Sequence, residues 1–309
     1  MLLRAVDRTY DGAQIIDTPK DASALFNVTP FGFKHTLSEL DLFRFDTLCD
    51  LARKYDRDFY VAGGAATPGE RFYSVSSFAH TPYEALQRLD LEHQRLLLKR
   101  PEQYDSRYRD LMHALFEQIV RLKGGLGDER VVRLTSSILI SSAATTTPFH
   151  FDPEMTFFFQ IDGEKSYHLY PPAVLSEPEL EDFYWMGIVN IGQVELTGRD
   201  PAREYLFELS AGRGMHQPQN SPHWVQTQES RSISYTISFE TDASRKLGRT
   251  RAFNYYERKL GLRPTAPGLH PARDAAKGLA MQAAIPLRKG LSNAVRKLFS
   301  AGAARDRTR

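Results

Sequence analysis

Thr145-Thr-Thr-Pro-Phe-His-Phe-Asp-Pro-Glu-Met-Thr-Phe-Phe-Phe-Gln-Ile-Asp-Gly-Glu-Lys165 carries more chemical information than any other part of this 309-residue chain. His150 and Asp152 stand two apart, so on an extended backbone both side chains leave the same face. An imidazole nitrogen and a carboxylate oxygen are thereby offered to one metal ion. With a second histidine from elsewhere the set becomes the two-histidine, one-carboxylate facial triad, which leaves coordination positions open and suits non-haem Fe(II). A bare His-x-Asp pair also arises by chance, as a surface ion pair or a cap, so the residues that follow it decide the matter.

Asp162-Gly163 is a two-residue hairpin signal. A hairpin there pairs Ile161 with Glu164, Gln160 with Lys165, Phe158 with Tyr167 and Thr156 with Leu169. Cross-strand partners share a face, so Lys165 emerges beside Thr156 and Phe158. A lysine on an inward, aromatic-lined face needs an anion to offset its desolvation, and an acidic cosubstrate would supply one. The alternative, a solvated Lys165 on an outward face, exposes Phe158 and Tyr167 together. A straight strand from Asp152 to Gln160 would run about 26 Å at ~3.3 Å per residue, too far for one small pocket. The chain is therefore expected to bend at Pro153, which cannot join a ladder.

Gly212-Arg-Gly-Met-His-Gln-Pro-Gln-Asn-Ser-Pro-His-Trp-Val225 offers two candidates for the second histidine. His223 opens an apolar strand after a Pro-bounded turn, which suits a ligand at a barrel mouth. His216 lies in a looser, Gly-rich turn and is the less well placed. Apart from His150, the other six histidines, His113 and His168 among them, read as packing or surface residues.

Outward from this centre, Val131–Ile140, Thr156–Ile161, Ser166–Tyr170, Tyr205–Leu209, His223–Thr227 and Ser232–Phe239 are short β-branched or aromatic runs separated by turn residues. Before them, helical spacing runs from Thr36 to Leu51 and from about Asp105 to Leu122, the latter closed by Gly124-Gly125. Thr81-Pro82 opens a further helix. Asp58–Ala62 and Leu96–Lys99 read as short strands. After Glu240 the pattern is helical again, including Ala275 to Phe299. The expected fold class is mainly β with flanking helices: an antiparallel barrel or jelly roll with a helical N-terminal layer and a basic helical tail. The corresponding regions are a helical or mixed layer over 1–129, a barrel core over 130–240 and an extension over 241–309.

With 41% hydrophobic and 25% charged residues, the composition excludes wholesale disorder, collagen and coiled coil. The net charge of +2 conceals a division. Residues 241–309 hold 16 Lys and Arg against 4 Asp and Glu, while residues 1–240 hold 24 against 34. Overall charge therefore says nothing about nucleic acid. The basic tail admits a nucleic-acid or membrane-surface contact, but a solvated helix face or an oligomer contact is the commoner cause of such a run. One cysteine, Cys49, excludes an internal disulfide framework and a cysteine-built zinc site, and suits a reducing compartment. No apolar run approaches the ~18 residues of a membrane span, and Met1-Leu-Leu-Arg-Ala-Val-Asp-Arg8 lacks the apolar core of a signal peptide, so a cytoplasmic protein is expected.

Over about residues 130–240 the chain resembles the JmjC, or cupin-like, Fe(II)/2-oxoglutarate oxygenases, and within them the asparaginyl hydroxylase that inhibits hypoxia-inducible factor. Leu134-Thr-Ser-Ser-Ile-Leu-Ile140, Thr147-Pro-Phe-His-Phe-Asp152, Phe157-Phe-Phe-Gln-Ile-Asp-Gly-Glu-Lys165, Tyr170-Pro-Pro172 and Pro222-His-Trp-Val225 carry the likeness. It implies a double-stranded β-helix with Fe(II) on His150, Asp152 and His223. It further implies that the far carboxylate of 2-oxoglutarate rests on Lys165 and Thr147, with Thr156 and Phe158 lining the pocket. Two features depart from the family. Gly212-Arg-Gly-Met-His-Gln-Pro218 replaces its usual Gly-Asp and apolar run, and Ser238 stands where the asparaginyl hydroxylase has an asparagine.

The resemblance implies a dioxygenase that uses Fe(II), 2-oxoglutarate and O2 to hydroxylate a C–H bond of a protein side chain or a small metabolite. A non-catalytic metal-binding cupin that regulates a partner is the alternative, and a homo-oligomer through the C-terminal helices is the partner the tail suggests.

Overall fold

The structure is a computed structural model, and residues 13–72, 75, 77–186 and 191–284 are described. Two antiparallel sheets form its body. The larger runs in the order β1 (Ile16–Asp17), β2 (Phe31–His35), β11 (Arg213–Gln217), β7 (Met155–Asp162), β13 (Ser232–Thr241), β5 (Val131–Ser141), β4 (Gln94–Lys99), β3 (Phe59–Gly63). The smaller runs β10 (Tyr205–Leu209), β8 (Lys165–Leu169), β12 (Pro222–Thr227), β6 (Thr146–Phe151), β9 (Gly192–Gln193). From β5 to β8, and again from β10 to β13, the chain changes sheet at every turn. That alternation is the double-stranded β-helix.

The aromatic run in β7 follows from its place. Phe157, Phe159 and Ile161 face outward, into a core shared with Leu111, Leu115 and Ile119 of α4 (Ser106–Lys123). Phe158 faces inward, into a smaller core between the sheets with Tyr167, Leu169, Met215 and Val225. A strand covered on both sides reads as continuous apolar sequence rather than alternation. The helix that covers it is well bounded: Asp105 caps its start through the Arg107 amide at 3.0 Å, and Gly124 ends it at φ 84°. The helix opened by Thr81 is α3 (Pro82–Gln87), with a capping box between Thr81 and Glu84.

Three expectations are corrected. The Asp162-Gly163 turn does not close a hairpin. β7 pairs with β11 and β13, and β8 pairs with β10 and β12, so the turn carries the chain from one sheet to the other. Phe158 and Tyr167 still meet, at 5.1 Å between ring centres, because they face each other across the inter-sheet space. The stretch from Thr36 to Leu51 is not one helix. Two 3₁₀ turns, Leu37–Glu39 and Asp41–Phe43, precede α2 (Phe45–Ala52), and together they bury Leu37, Leu42, Phe43, Leu48 and Leu51. The Gly-rich turn around His216 is strand β11, which sits between β2 and β7. Gly214 permits that close approach: a Cβ there would lie 2.3 Å from the Phe33 ring and 2.6 Å from the Phe158 carbonyl.

The N-terminal residues supply β2, β3 and β4 to the large sheet in addition to helices, including the four-residue α1 (Ala22–Leu25). A second compact unit combines the described residues 176–186 with 242–284. Within it α5 (Glu177–Met186) lies against α6 (Asp242–Lys259), tied by Arg251–Glu177 and Arg258–Glu181 ion pairs. A further helix covers 271–284, and the remainder of the expected helix to Phe299 lies outside the described residues. No helix among the described residues is long and apolar enough to cross a membrane.

The sheet-to-sheet corner generates a stability prediction. Gly163 has φ 70°, and a Cβ there would lie 2.2 Å from the Arg231 carbonyl oxygen. Gly163→Ala should cost about 1–3 kcal/mol or more in urea unfolding, combining backbone strain with overpacking. Gly127→Ala has positive φ but open space, and should cost clearly less.

Candidate metal centre

β6 and β12 bring the two histidines together. His223 lies opposite His150 and Val225 opposite Thr147, so two residues of β6, Pro148 and Phe149, face Trp224 alone. Thr147 and His150 are three apart and would point to opposite faces of a regular strand. The bulge turns both inward. Its extra amide is satisfied, because the Phe149 N–H donates to the Pro68 carbonyl at 2.8 Å. Just beyond Phe151 the chain bends through Asp152, Pro153 and Glu154 into β7, as expected of Pro153, and Asp152 falls at the corner.

His150, Asp152 and His223 each offer a ligand atom, and these atoms lie within 4.8 Å of one another. His223 Nε2 is 3.7 Å from Asp152 Oδ2. Each imidazole is oriented from behind: His150 Nδ1 is 2.7 Å from the Pro148 carbonyl and His223 Nδ1 is 3.1 Å from that of Ser221. A carbonyl can only accept, so both Nδ1 atoms carry hydrogen and both Nε2 lone pairs are free for a cation. Burial holds the pKa of both rings below that of free histidine, that of His150 well below. Neutral imidazoles are the form that binds metal. Burial pushes the Asp152 carboxyl up, opposed chiefly by His223. Gln217 Nε2 donates to Asp152 Oδ2 at 3.4 Å, and Tyr167 Oη donates to Gln217 Oε1 at 2.7 Å. Tyr167 also stacks on His223, with ring centres 5.1 Å apart.

All seven residues singled out in the sequence line one cavity of about 410 Å³. Lys165 reaches it from β8, 3% exposed, with Nζ 5.7 Å from the centre of the Phe158 ring. No carboxylate among the described residues pairs with Lys165. Burial, then the like charge of Arg95, pushes its pKa down to about 7. Thr156 and Ser238 hydroxyls share a hydrogen bond of 2.9 Å. His216 is elsewhere. Its Nε2 accepts from the Asn27 amide at 2.9 Å, its Nδ1 faces the Thr156 carbonyl at 3.1 Å, and its ring stacks on Phe26. It is a core histidine, its pKa pushed down to about 3 mainly by burial.

Sequence reasoning places Tyr167 on the inward face with Phe158 but does not find Gln217 or Arg95 as parts of this cavity. Gln217 follows His216 in a segment read as a turn, and Arg95 precedes the apolar Leu96-Leu-Leu run. Two neutral imidazoles and one carboxylate on the wall of an open cavity form a donor set that fits Fe(II) or a similar divalent ion. Asp152→Ala should lower Mn(II) affinity by well over tenfold in calorimetric titration, with the far-ultraviolet spectrum retained. His216→Gln should leave Mn(II) affinity unchanged and lower the melting temperature.

No family model matches the sequence, and no curated protein matches it. Solved structures do. YcfD from Escherichia coli, 17% identical, superposes with a TM-score of 0.50 over 88% of this chain and 69% of its own. A structure of YcfD described as a ribosomal oxygenase in complex with cobalt and 2-oxoglutarate gives 0.49 at 17% identity, over 87% and 68%. One in complex with cobalt and succinic acid gives 0.48 at 17% identity, again over 87% and 68%. At this identity the likeness is one of fold: the chain shares the architecture of YcfD.

Proposed function

We propose that the protein is a Fe(II)- and 2-oxoglutarate-dependent oxygenase that hydroxylates a C–H bond of a second substrate. One observation carries the proposal: the cavity that holds the His150, Asp152 and His223 donor set also holds Lys165, a buried cation that pairs with no carboxylate among the described residues. A metal-binding regulator needs the first feature and has no use for the second. His150, Asp152 and His223 would hold the metal, as a donor set that suits Fe(II). When bound, Fe(II) with 2-oxoglutarate and O2 supplies the oxidation, giving succinate, CO2 and the hydroxylated product.

The remaining work falls to side chains. Lys165, helped by Thr147, fixes the far carboxylate and so sets which end of the cosubstrate faces the metal site. Phe158, at 5.7 Å from Lys165 Nζ, and Tyr167 keep water from the ion pair, which strengthens it. Thr156, bonded to Ser238, borders the space next to the metal ligands. No nucleophile or acid–base pair is needed. A cytoplasmic location belongs to the same proposal, supported by a sequence whose one cysteine is buried and unpaired.

Lys165→Ala removes a charge-assisted hydrogen bond of about 1.5–3 kcal/mol. It should weaken 2-oxoglutarate binding by roughly tenfold to a hundredfold and leave Mn(II) affinity unchanged. Equal loss of both, or of neither, would remove the cosubstrate from this pocket. The lowered pKa adds a pH dependence. Below about 7 the empty pocket already holds an ammonium, while above it each carboxylate must bring a proton with it. Affinity should therefore fall as pH rises from 7 to 9, by up to about tenfold per unit. Lys165→Arg, charged throughout, should flatten that slope.

A further inference from the structure

Once metal and cosubstrate are assigned, the charges lining the cavity do not balance. Five cations and three carboxylates face it. Asp58 is paired with Arg100, and Glu154 with Arg133 at 2.8 Å. Asp152 belongs to the metal set and Lys165 to the far carboxylate of 2-oxoglutarate. Arg95 and Lys99 remain, and no carboxylate among the described residues forms an ion pair with either.

Both project from β4, four residues apart with Leu97 between them, on the face that lines the cavity. Their outward-facing neighbours Gln94, Leu96 and Leu98 are buried in the layer behind the sheet. Arg95 is held in place at one end only. Its Nε donates to the Gly63 carbonyl at 3.2 Å and its guanidinium lies 5.6 Å from the centre of the Phe72 ring, whereas Nη2 is buried and has no hydrogen-bond partner among the described residues. A fixed guanidinium with an unsatisfied buried N–H is costly unless an oxyanion completes it. Arg95 and Lys99 thus line one wall of the same cavity as the His150, Asp152 and His223 donor set.

We infer that the second substrate is a small organic acid whose carboxylate is bound by Arg95, with Lys99 supplying further positive field. The inference rests on the oxygenase reading, which places the dianionic cosubstrate on Lys165 and leaves these two cations to the other reactant. A cavity of about 410 Å³ sits at the small end of the range of about 300–1,000 Å³ for ligand sites, which suits a compact molecule beside the cosubstrate. A cationic side chain would meet Arg95 and Lys99 as like charges and is excluded as the occupant of this wall.

The test is calorimetric titration of the full chain, loaded with Mn(II) and saturating 2-oxoglutarate, with 3-phenylpropionate, 3-phenylpropionamide and 3-phenylpropylamine. The acid should bind at least about tenfold more tightly than the amide, and the amine should not bind. Arg95→Met should abolish the preference for acid over amide while changing 2-oxoglutarate affinity far less than Lys165→Ala does. Lys99→Met, a change at a half-buried side chain that leaves the fold intact, should reduce the preference severalfold. Equal affinity for acid and amide, no binding of the acid, or binding of the amine would overturn the inference. So would a loss of 2-oxoglutarate affinity in Arg95→Met comparable to that in Lys165→Ala, because it would assign Arg95 to the cosubstrate. Tighter binding of an acidic hexapeptide than of 3-phenylpropionate would overturn the assignment to a small molecule. Failure of the wild-type protein to bind 2-oxoglutarate would overturn the oxygenase reading and this inference with it.

Discussion

One extra residue in β6, where Pro148 and Phe149 together face Trp224, decides what the cavity contains. In a regular ladder Thr147 and His150 would lie on opposite faces, and only one of them could reach the inter-sheet space. With the bulge, His150 meets His223 while Thr147 meets Val225, and both pairs face inward. Asp152 then follows on the same side at the corner before β7. The meeting of His150 with His223 and the place of Thr147 on the cavity wall are thus two consequences of one local irregularity, kept in place by the Pro68 carbonyl that takes the spare amide.

The second determinant is dielectric. The two sheets enclose Lys165 among aromatic rings, where its charge is expensive and its pKa falls to about 7. The same burial keeps both histidines neutral, which prepares them for a cation, and leaves Lys165 in need of an anion. Opposite demands for charge therefore sit in one cavity, at positions that a dicarboxylate could bridge from the metal to Lys165. Tyr167 joins them mechanically: its ring lies on His223 and against Phe158, and its hydroxyl reaches Asp152 through Gln217.

Much of this was legible in sequence because it depends on period and on residue type. His150 and Asp152 needed only the two-residue alternation, and the strands β5, β7, β8, β10, β12 and β13 needed only β-branched and aromatic runs between turns. The burial of Lys165 was anticipated for a reason that proved wrong. A local Asp-Gly signal suggests a hairpin, whereas the fold uses the turn to change sheets, a long-range choice that no short window contains. The inward direction survives because Phe158 and Tyr167 must both be buried in either arrangement. β11 was missed because glycine at Gly214 resembles a turn when its purpose is room for Phe33. Arg95 was missed because one cation ahead of a leucine run has no periodicity to betray it.

The proposed function requires Fe(II) and 2-oxoglutarate to meet in this cavity. Anaerobic titration of the Fe(II)-loaded protein with 2-oxoglutarate, followed in the visible range, tests it most directly. A weak charge-transfer band should appear and saturate with cosubstrate in the wild-type protein and be absent from Asp152→Ala. Fe(II) bound by the wild-type protein with no band at any 2-oxoglutarate concentration would contradict it.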